Sequence, residues 1–414
     1  MPWKVTDPMS ERMKFVCRIE AGERMTDVCK DLGISRKTGY KLLERYRAEG
    51  TAGLFDRSRA PREIRHRTSE EIITLVETTR RAHPTWGPRK LRAWLEAQHP
   101  GLKLPAASTI GDFLARRGLV DMRRRRRVVT PHPAPLTSPQ AANDVWCADF
   151  KGQFRLRNGA YCYPLTISDR HSRFLLCCEG LESVRGDSAG LVFDAVFRSH
   201  GLPKVIRTDN GAPFASKGLL GLSQLSVHWL RLGIRPERIK PAHPEQNGQH
   251  ERMHRVLKAE TTRPAAATLL QQQERFDRFV EEYNHQRPHE ALGQVPPAIV
   301  YAPSQRIFVE PREPEYPLHD DERRVASSGH VSLGGRNNSY FVSTALAGET
   351  VGIRELGGNQ WLVSFMTIDL GVIDTAQRRF IAVTQSPFVE AANGYEAGDF
   401  HEGDRDPDGE VNAA

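Results

Sequence analysis

The chain has no run of about 18 apolar residues, so no segment is expected to span a membrane. Residues 1–15 are polar and charged and lack the apolar centre of a secretory signal. Cysteine is scarce. Cys17, Cys29, Cys147, Cys162, Cys177 and Cys178 include no C-x-x-C pair, which argues against a zinc knuckle. Their mostly apolar surroundings suit buried thiols in a reducing compartment. Residues 390–410 hold eight acids against Arg405. The whole chain still carries a formal charge of +8, so its folded part is more basic than the total implies. A basic excess spread over several domains points to a polyanion, most simply nucleic acid, and to a cytoplasmic, nucleoid-associated protein.

A length of 414 residues allows about three domains. Residues 1–60 read as a helix-turn-helix domain. Phe15, Val16 and Ile19 share one face of a first helix, and a second spans Thr26–Leu32. Gly33 permits the bend, and Ser35 is placed to cap a third helix that buries Leu42, Leu43 and Tyr46. The first turns of that helix present Arg36, Lys37, Thr38, Tyr40 and Lys41, the residues expected to meet DNA in a major groove. Arg57 and Arg59 lie in a basic, proline-interrupted stretch suited to tracking phosphates. Residues 61–122 read as a second helical module, with Leu91, Trp94 and Leu95 as an apolar stripe and a last helix starting near Ser108. The run Arg123, Arg124, Arg125, Arg126 and Arg127 opens a basic, proline-rich linker over 123–142 and is expected to grip phosphate.

Residues 143–303 form a middle domain. Three successive strands, a helix, a short strand, a helix of about fifteen residues from Leu219, a last short strand and two helices predict a mixed sheet covered by helices. Short strands with Gly and Asn turns over 304–380 suit a small β-barrel, and 381–414 reads as a disordered acidic tail.

Three acids stand out in the middle domain. Asp149 sits within an apolar strand, Asp209 where the strand KVIRT meets a turn, and Glu251 on a helix. An ionised carboxylate near a core is costly unless paired or metal-bound. Three hard oxygen donors suit Mg²⁺ or Mn²⁺, and a two-ion site would let Asp149 bridge both metals. An Asp in a T-D-N-G turn is more often a turn former, so the weight rests on the three segments together. Asp169 and Asp194 read as a turn residue and a mid-helix residue. Glu251, Arg255 and Lys258 are spaced along one helical face, so both cations would border the site and hold a DNA end.

Those segments carry a resemblance. W-x-x-D at Trp146 and Asp149, T-D-N-G from Thr208, and H-P-x-x-N-G-x-x-E from His243 to Glu251 are similar to the integrase core of bacterial insertion-sequence transposases and retroviral integrases. Y-N-H-Q-R-P-H from Tyr283, H-P-T-W-G from His83 and G-L-F-D-R-S-R from Gly53 resemble further segments of the bacterial members. The resemblance covers roughly residues 10–300. It implies an RNase H-like fold and an Asp-Asp-Glu triad, and its N-G-x-x-E pattern selects Glu251 over Glu245. It further implies paired helix-turn-helix modules that bind terminal repeats, cleavage and joining of DNA by two metal ions, and at least a dimer on DNA. The interval from Asp209 to Glu251 is longer than in retroviral integrases, and no N-terminal zinc module is present, which favours the bacterial branch. Rival readings are a non-catalytic DNA-binding regulator, an RNase H-type or junction nuclease that cuts without joining, and a structural chromatin protein.

Overall fold

The computed structural model describes residues 7–57, 68–120, 136–240, 246, 248–335 and 338–383. Arg59, Arg123, Arg124, Arg125, Arg126, Arg127, Glu245 and the acidic tail lie outside them. The chain divides into two compact units, Met1–Ser69 and Glu70–Ala414.

The first unit is three helices, α1 (Pro8–Glu20), α2 (Met25–Asp31) and α3 (Arg36–Glu49). Asp7 caps α1 by accepting from the backbone N–H groups of Met9 and Ser10. Ser35 caps α3 by accepting from Thr38 N–H at 3.1 Å, as the sequence suggested. Phe15, Val16, Val28, Cys29, Leu43 and Leu54 make the core, with Leu42 and Tyr46 packed at its margin. Gly39 explains how α3 comes so close to α2. A Cβ there would lie 2.7 Å from Cys29 Sγ and 2.9 Å from Met25 Sδ.

The second unit opens with α4 (Glu70–Ala82), α5 (Pro88–Gln98) and α6 (Ala107–Arg116) around Trp86, Leu91 and Leu95. Helix α6 begins one residue before Ser108, and Ala106 stands at its N-cap without a side-chain bond. A sheet follows. Strand β3 (Tyr161–Asp169) pairs antiparallel with β1 (Val145–Phe150), with β4 (Leu175–Leu181) and, at its start, with β2 (Phe154–Arg155). Strand β1 runs parallel to β5 (Val205–Thr208), which runs parallel to β6 (Arg235–Arg238). The expected mixed sheet is present, with β2 as an added short strand.

Helices cover both faces of this sheet. Trp146, Ala148, Leu165 and Ile167 pack against Phe193 and Phe197 of α7 (Gly186–His200) and Trp229 of α8 (Gln224–Arg231). Met253 and Leu257 of α9 (Gly248–Thr261) and Phe276 and Phe279 of α10 (Leu269–His285) pack against Cys162, Leu175 and Cys178. Helix α8 is shorter than its apolar run suggested. Ser223 and Ser226 form a reciprocal capping box, and a 3₁₀ turn occupies Leu219–Gly221.

Two motifs about 200 residues apart in this unit meet. His83 Nδ1 lies 2.7 Å from Glu282 Oε1. Thr85 donates to Glu260, and the buried Arg287 donates to Thr85 Oγ1 at 3.0 Å and to Glu260 at 3.2 Å. The H-P-T-W-G segment thus fastens the second helical module to α9, α10 and the Y-N-H-Q-R-P-H segment.

At the C-terminal end, β7 (Asp321–Arg324), β10 (Thr350–Gly357), β11 (Gln360–Phe365), β12 (Ile368–Asp374) and β13 (Arg379–Ala382) form a five-stranded antiparallel sheet. Its order is β13–β12–β11–β10–β7, and β8 (His330–Ser332) and β9 (Ser339–Phe341) make a separate ribbon. Among the described residues no pairing joins β7 to β13, so the sheet is not closed into the expected barrel. Part of its core is borrowed: Leu220, Leu222 and Val227 pack with Val351, Ile353 and Phe365.

Candidate active site

The register of β1 on β3 sets which way Asp149 faces. Asp149 stands opposite Thr166, and residues directly opposite across a strand pair share a face. Trp146, Ala148 and Phe150 alternate toward α7 and α8, so Asp149 and Thr166 face α9. Asp209 follows β5, the strand beside β1, and accepts from Gly211 N–H at 3.0 Å. Glu251 lies exposed in the first turn of α9.

Electrostatics ties the three acids together. Burial pushes the Asp149 carboxyl up to about 7, the negative charge of Asp209 adds to this, and Glu251 adds a smaller push. Lys151 and the backbone N–H of Phe150 act the other way. The structure therefore brings residues 149, 209 and 251 into one field, with the Asp149 side chain 19% exposed at its centre.

Behind Asp149 lies a polar cluster that sequence reasoning did not find. His250 and His254 are buried on α9, at 1% and 4% exposure. Thr166 Oγ1 is 2.7 Å from the Nε2 of each and 3.0 Å from the Asp149 carbonyl oxygen. A hydroxyl has one proton and two lone pairs. The carbonyl can only accept, so it takes the Thr166 proton, and both imidazoles donate to Thr166 through Nε2–H. His250 Nδ1 is then free to accept from the Ser168 hydroxyl at 3.1 Å. His254 Nδ1 is left as a bare lone pair, 3.7 Å from Asp149 Oδ2. Burial lowers both imidazoles far below the ordinary histidine range, which keeps them neutral. One signal was available in the sequence. His250, Met253, His254 and Leu257 repeat at helical spacing, opposite the face that carries Glu251, Arg255 and Lys258.

The donor set fits a hard divalent cation. Three carboxylates share one field in which Lys151 is the opposing cation, and a divalent ion would relieve the crowding that raises Asp149. Among the described residues, the group of donor atoms lying within 4.8 Å of one another is Asp149, His250 and His254, without Asp209 or Glu251. Thr166 already occupies Nε2 of both histidines, so only His254 Nδ1 faces the carboxylate.

The two decoy acids have structural partners. Asp169 is fully buried and accepts from Asn143 N–H, Ser172 N–H and Ser172 Oγ at 2.8, 2.7 and 2.6 Å. Asp194 on α7 meets His228 Nε2 on α8 at 2.9 Å. Among the cations, Arg255 and Lys258 are exposed on α9. Arg36, Lys37, Thr38, Tyr40 and Lys41 are exposed on α3, in the other unit, and Arg57 pairs with Glu49.

Comparison with known proteins settles the family. Two models described as Integrase core domain match residues 139–244 and 232–297. A Helix-turn-helix domain model matches 11–62, and a Homeodomain-like domain model matches 38–114. A 39.2 kDa protein of insertion element IS476 from Xanthomonas euvesicatoria is 25% identical over 67% of this chain and 78% of its own length. The chain belongs to the integrase-core transposases of insertion sequences. A 31.7 kDa protein of insertion element IS407 from Burkholderia multivorans is 28% identical over 43% of this integrase-core chain and 62% of its own length. The HTLV-2 integrase catalytic core domain, solved in complex with magnesium, is 14% identical, with a TM-score of 0.32. That match spans 40% of this chain and 100% of the solved one. No described helix is long and apolar enough to cross a membrane.

Proposed function

We propose that the chain cuts and joins DNA at Asp149, Asp209 and Glu251. The observation that carries this reading is the buried Asp149 carboxyl, held up at about 7 and feeling the charge of both other acids. A pair of Mg²⁺ or Mn²⁺ ions bound there would supply activation of the attacking oxygen and stabilisation of the leaving one. Asp149, on the central strand, would contact both. Thr166, bonded to the Asp149 carbonyl, would hold the β1 strand in position from behind. Arg255 and Lys258 border the acids on the exposed face of α9 and would hold phosphates of the DNA end.

In the first step a water oxygen attacks a phosphorus at the element end and the bond to the 3′-oxygen breaks, leaving a 3′-hydroxyl. In the second step that hydroxyl attacks a phosphorus of target DNA, and the target's 3′-oxygen leaves with the proton. Bond number is conserved in each step, so no nucleotide triphosphate is needed. Residues 1–60 and 61–122 would read the terminal repeats, through Arg36, Lys37, Thr38, Tyr40 and Lys41 on α3. Arg57, Arg59 and the arginines 123–127 would follow the phosphates between the modules. Residues 143–303 would carry the chemistry, with two copies pairing two ends. The C-terminal strands would support the core through their shared packing.

The test is incubation with a duplex bearing the element end, Mg²⁺ and a target plasmid, followed by mapping of joined products. Joined ends are expected from the natural protein. Asp149→Asn should lose cutting and keep end binding, and equal loss of both would overturn the assignment of roles.

A further inference from the structure

A cavity of about 480 Å³ lies where α5 of the second helical module meets α9 and the segment after α10. Four cations line it: Lys90, Arg173, Arg252 and Arg287, against the single carboxylate of Glu290. That carboxylate is taken by Arg89, and Arg287 is matched by Glu260. Lys90, which also donates to the Pro288 carbonyl, Arg173 and Arg252 thus face one space in which, among the described residues, Glu290 is the one acid of the lining. They come from three separate elements: α5, the β3–β4 turn and α9.

Two further observations point to a missing ligand. Arg173 Nε and His289 Nε2 are buried at this cavity and have no hydrogen-bond partner among the described residues. Arg173 also holds a left-handed backbone, at φ +68°, which a side-chain-bearing residue adopts at a cost. Burial first, and then neighbouring cations, lower the Arg173 and Lys90 pKa values, with Glu290 acting the other way at Lys90.

We propose that this cavity seats a backbone phosphate of the DNA substrate, within a few nucleotides of the cut bond, gripped by Lys90, Arg173 and Arg252. The inference rests on the reading of the chain as a DNA-cutting protein. Arg252 adjoins Glu251 on α9, so a strand leaving the cavity reaches the acids after a short step. Lys90 belongs to the helical module and Arg252 to the catalytic core. One phosphate between them fixes where the bound repeat sits relative to the cut.

The ligand chemistry is an oxyanion, which free phosphate could also supply. The experiment separates the sources. Duplexes of the element end, each with one neutral methylphosphonate in place of a phosphate, are bound to the natural protein, Lys90→Met and Arg173→Gly. The natural protein should lose roughly tenfold in affinity at one position near the cut. Each variant should bind the unmodified duplex about as weakly and should lose little more at that position. Its slope of log affinity against log salt should be smaller by about one. Arg173→Gly keeps the left-handed turn, so its fold is preserved.

Methylphosphonate losses in the natural protein with no such position near the cut would overturn the proposal, even if both variants failed to fold. Equal further losses in natural and variant proteins would overturn it too, while leaving strand joining intact and the proposed function standing. Inorganic phosphate that raises the melting temperature of the natural protein alone, with no coupling to any duplex position, would make this a free-anion site. A natural protein that binds no duplex would overturn both readings.

Discussion

Asp149→Asn should make the metal-free protein more stable at alkaline pH, although it removes the residue most central to the proposed chemistry. The carboxyl is raised from 3.8 to about 7, mainly by burial and then by Asp209. The folded protein thus holds this proton more tightly than the unfolded chain. The stabilisation is complete below pH 3.8 and is lost as the pH rises to about 7. At about 1.36 kcal/mol per pH unit the loss is at most about 4 kcal/mol, and relaxation around a side chain 19% exposed brings it nearer ~2. Asparagine carries no charge at any pH and escapes this loss. At roughly 2 °C per kcal/mol, the variant should melt about 4–8 °C above the natural protein near pH 8. Near pH 4 the two should converge. Thermal unfolding in a chelator, followed by circular dichroism across this range, measures it. A variant that melts lower at pH 8, or two proteins with the same pH slope, would refute the argument. Added Mg²⁺ should reverse the order by stabilising only the natural protein.

Other substitutions separate packing from chemistry. Gly39→Ala puts a methyl group against Cys29 and Met25, and should cost the first unit about 1–3 kcal/mol in denaturant unfolding and weaken end binding. Thr166→Val takes away the acceptor of two buried imidazole N–H groups. It should lower stability by about 1–3 kcal/mol and reduce cutting, and Thr166→Ser should restore both. Glu237→Ala strands Arg207, which is 1% exposed and donates to Glu237 at 2.6 Å. A loss of about 3–5 kcal/mol is expected in urea unfolding, with no change in which bond is cut.

Much of this was legible in the sequence, for identifiable reasons. The Ser35 cap depends on local chemistry, and α3 begins where that chemistry directs. The alternation of strands and helices announced a mixed sheet, whereas the parallel placement of β5 beside β1 was a long-range fact the sequence did not carry. The partners of Asp149 were not legible. Thr166 reaches it only through the β1–β3 register, and His254 only through the docking of α9, both long-range facts. Ser223 cut α8 short because its capping box outweighed an apolar run that continued upstream. The C-terminal strands gave turn signals but no closure signal. Strand β7 is short and polar, and β13, though apolar after Arg379, is short and shows no alternation to announce it.

The central claim is that residues 149, 209 and 251 share divalent metal. Crystals soaked in Mn²⁺ and measured near the manganese absorption edge test it most directly. Anomalous peaks in contact with the Asp149 carboxylate and at least one of Asp209 and Glu251, missing from Asp149→Asn crystals, are the result expected. Manganese bound elsewhere, with those three side chains free of it, would contradict the account.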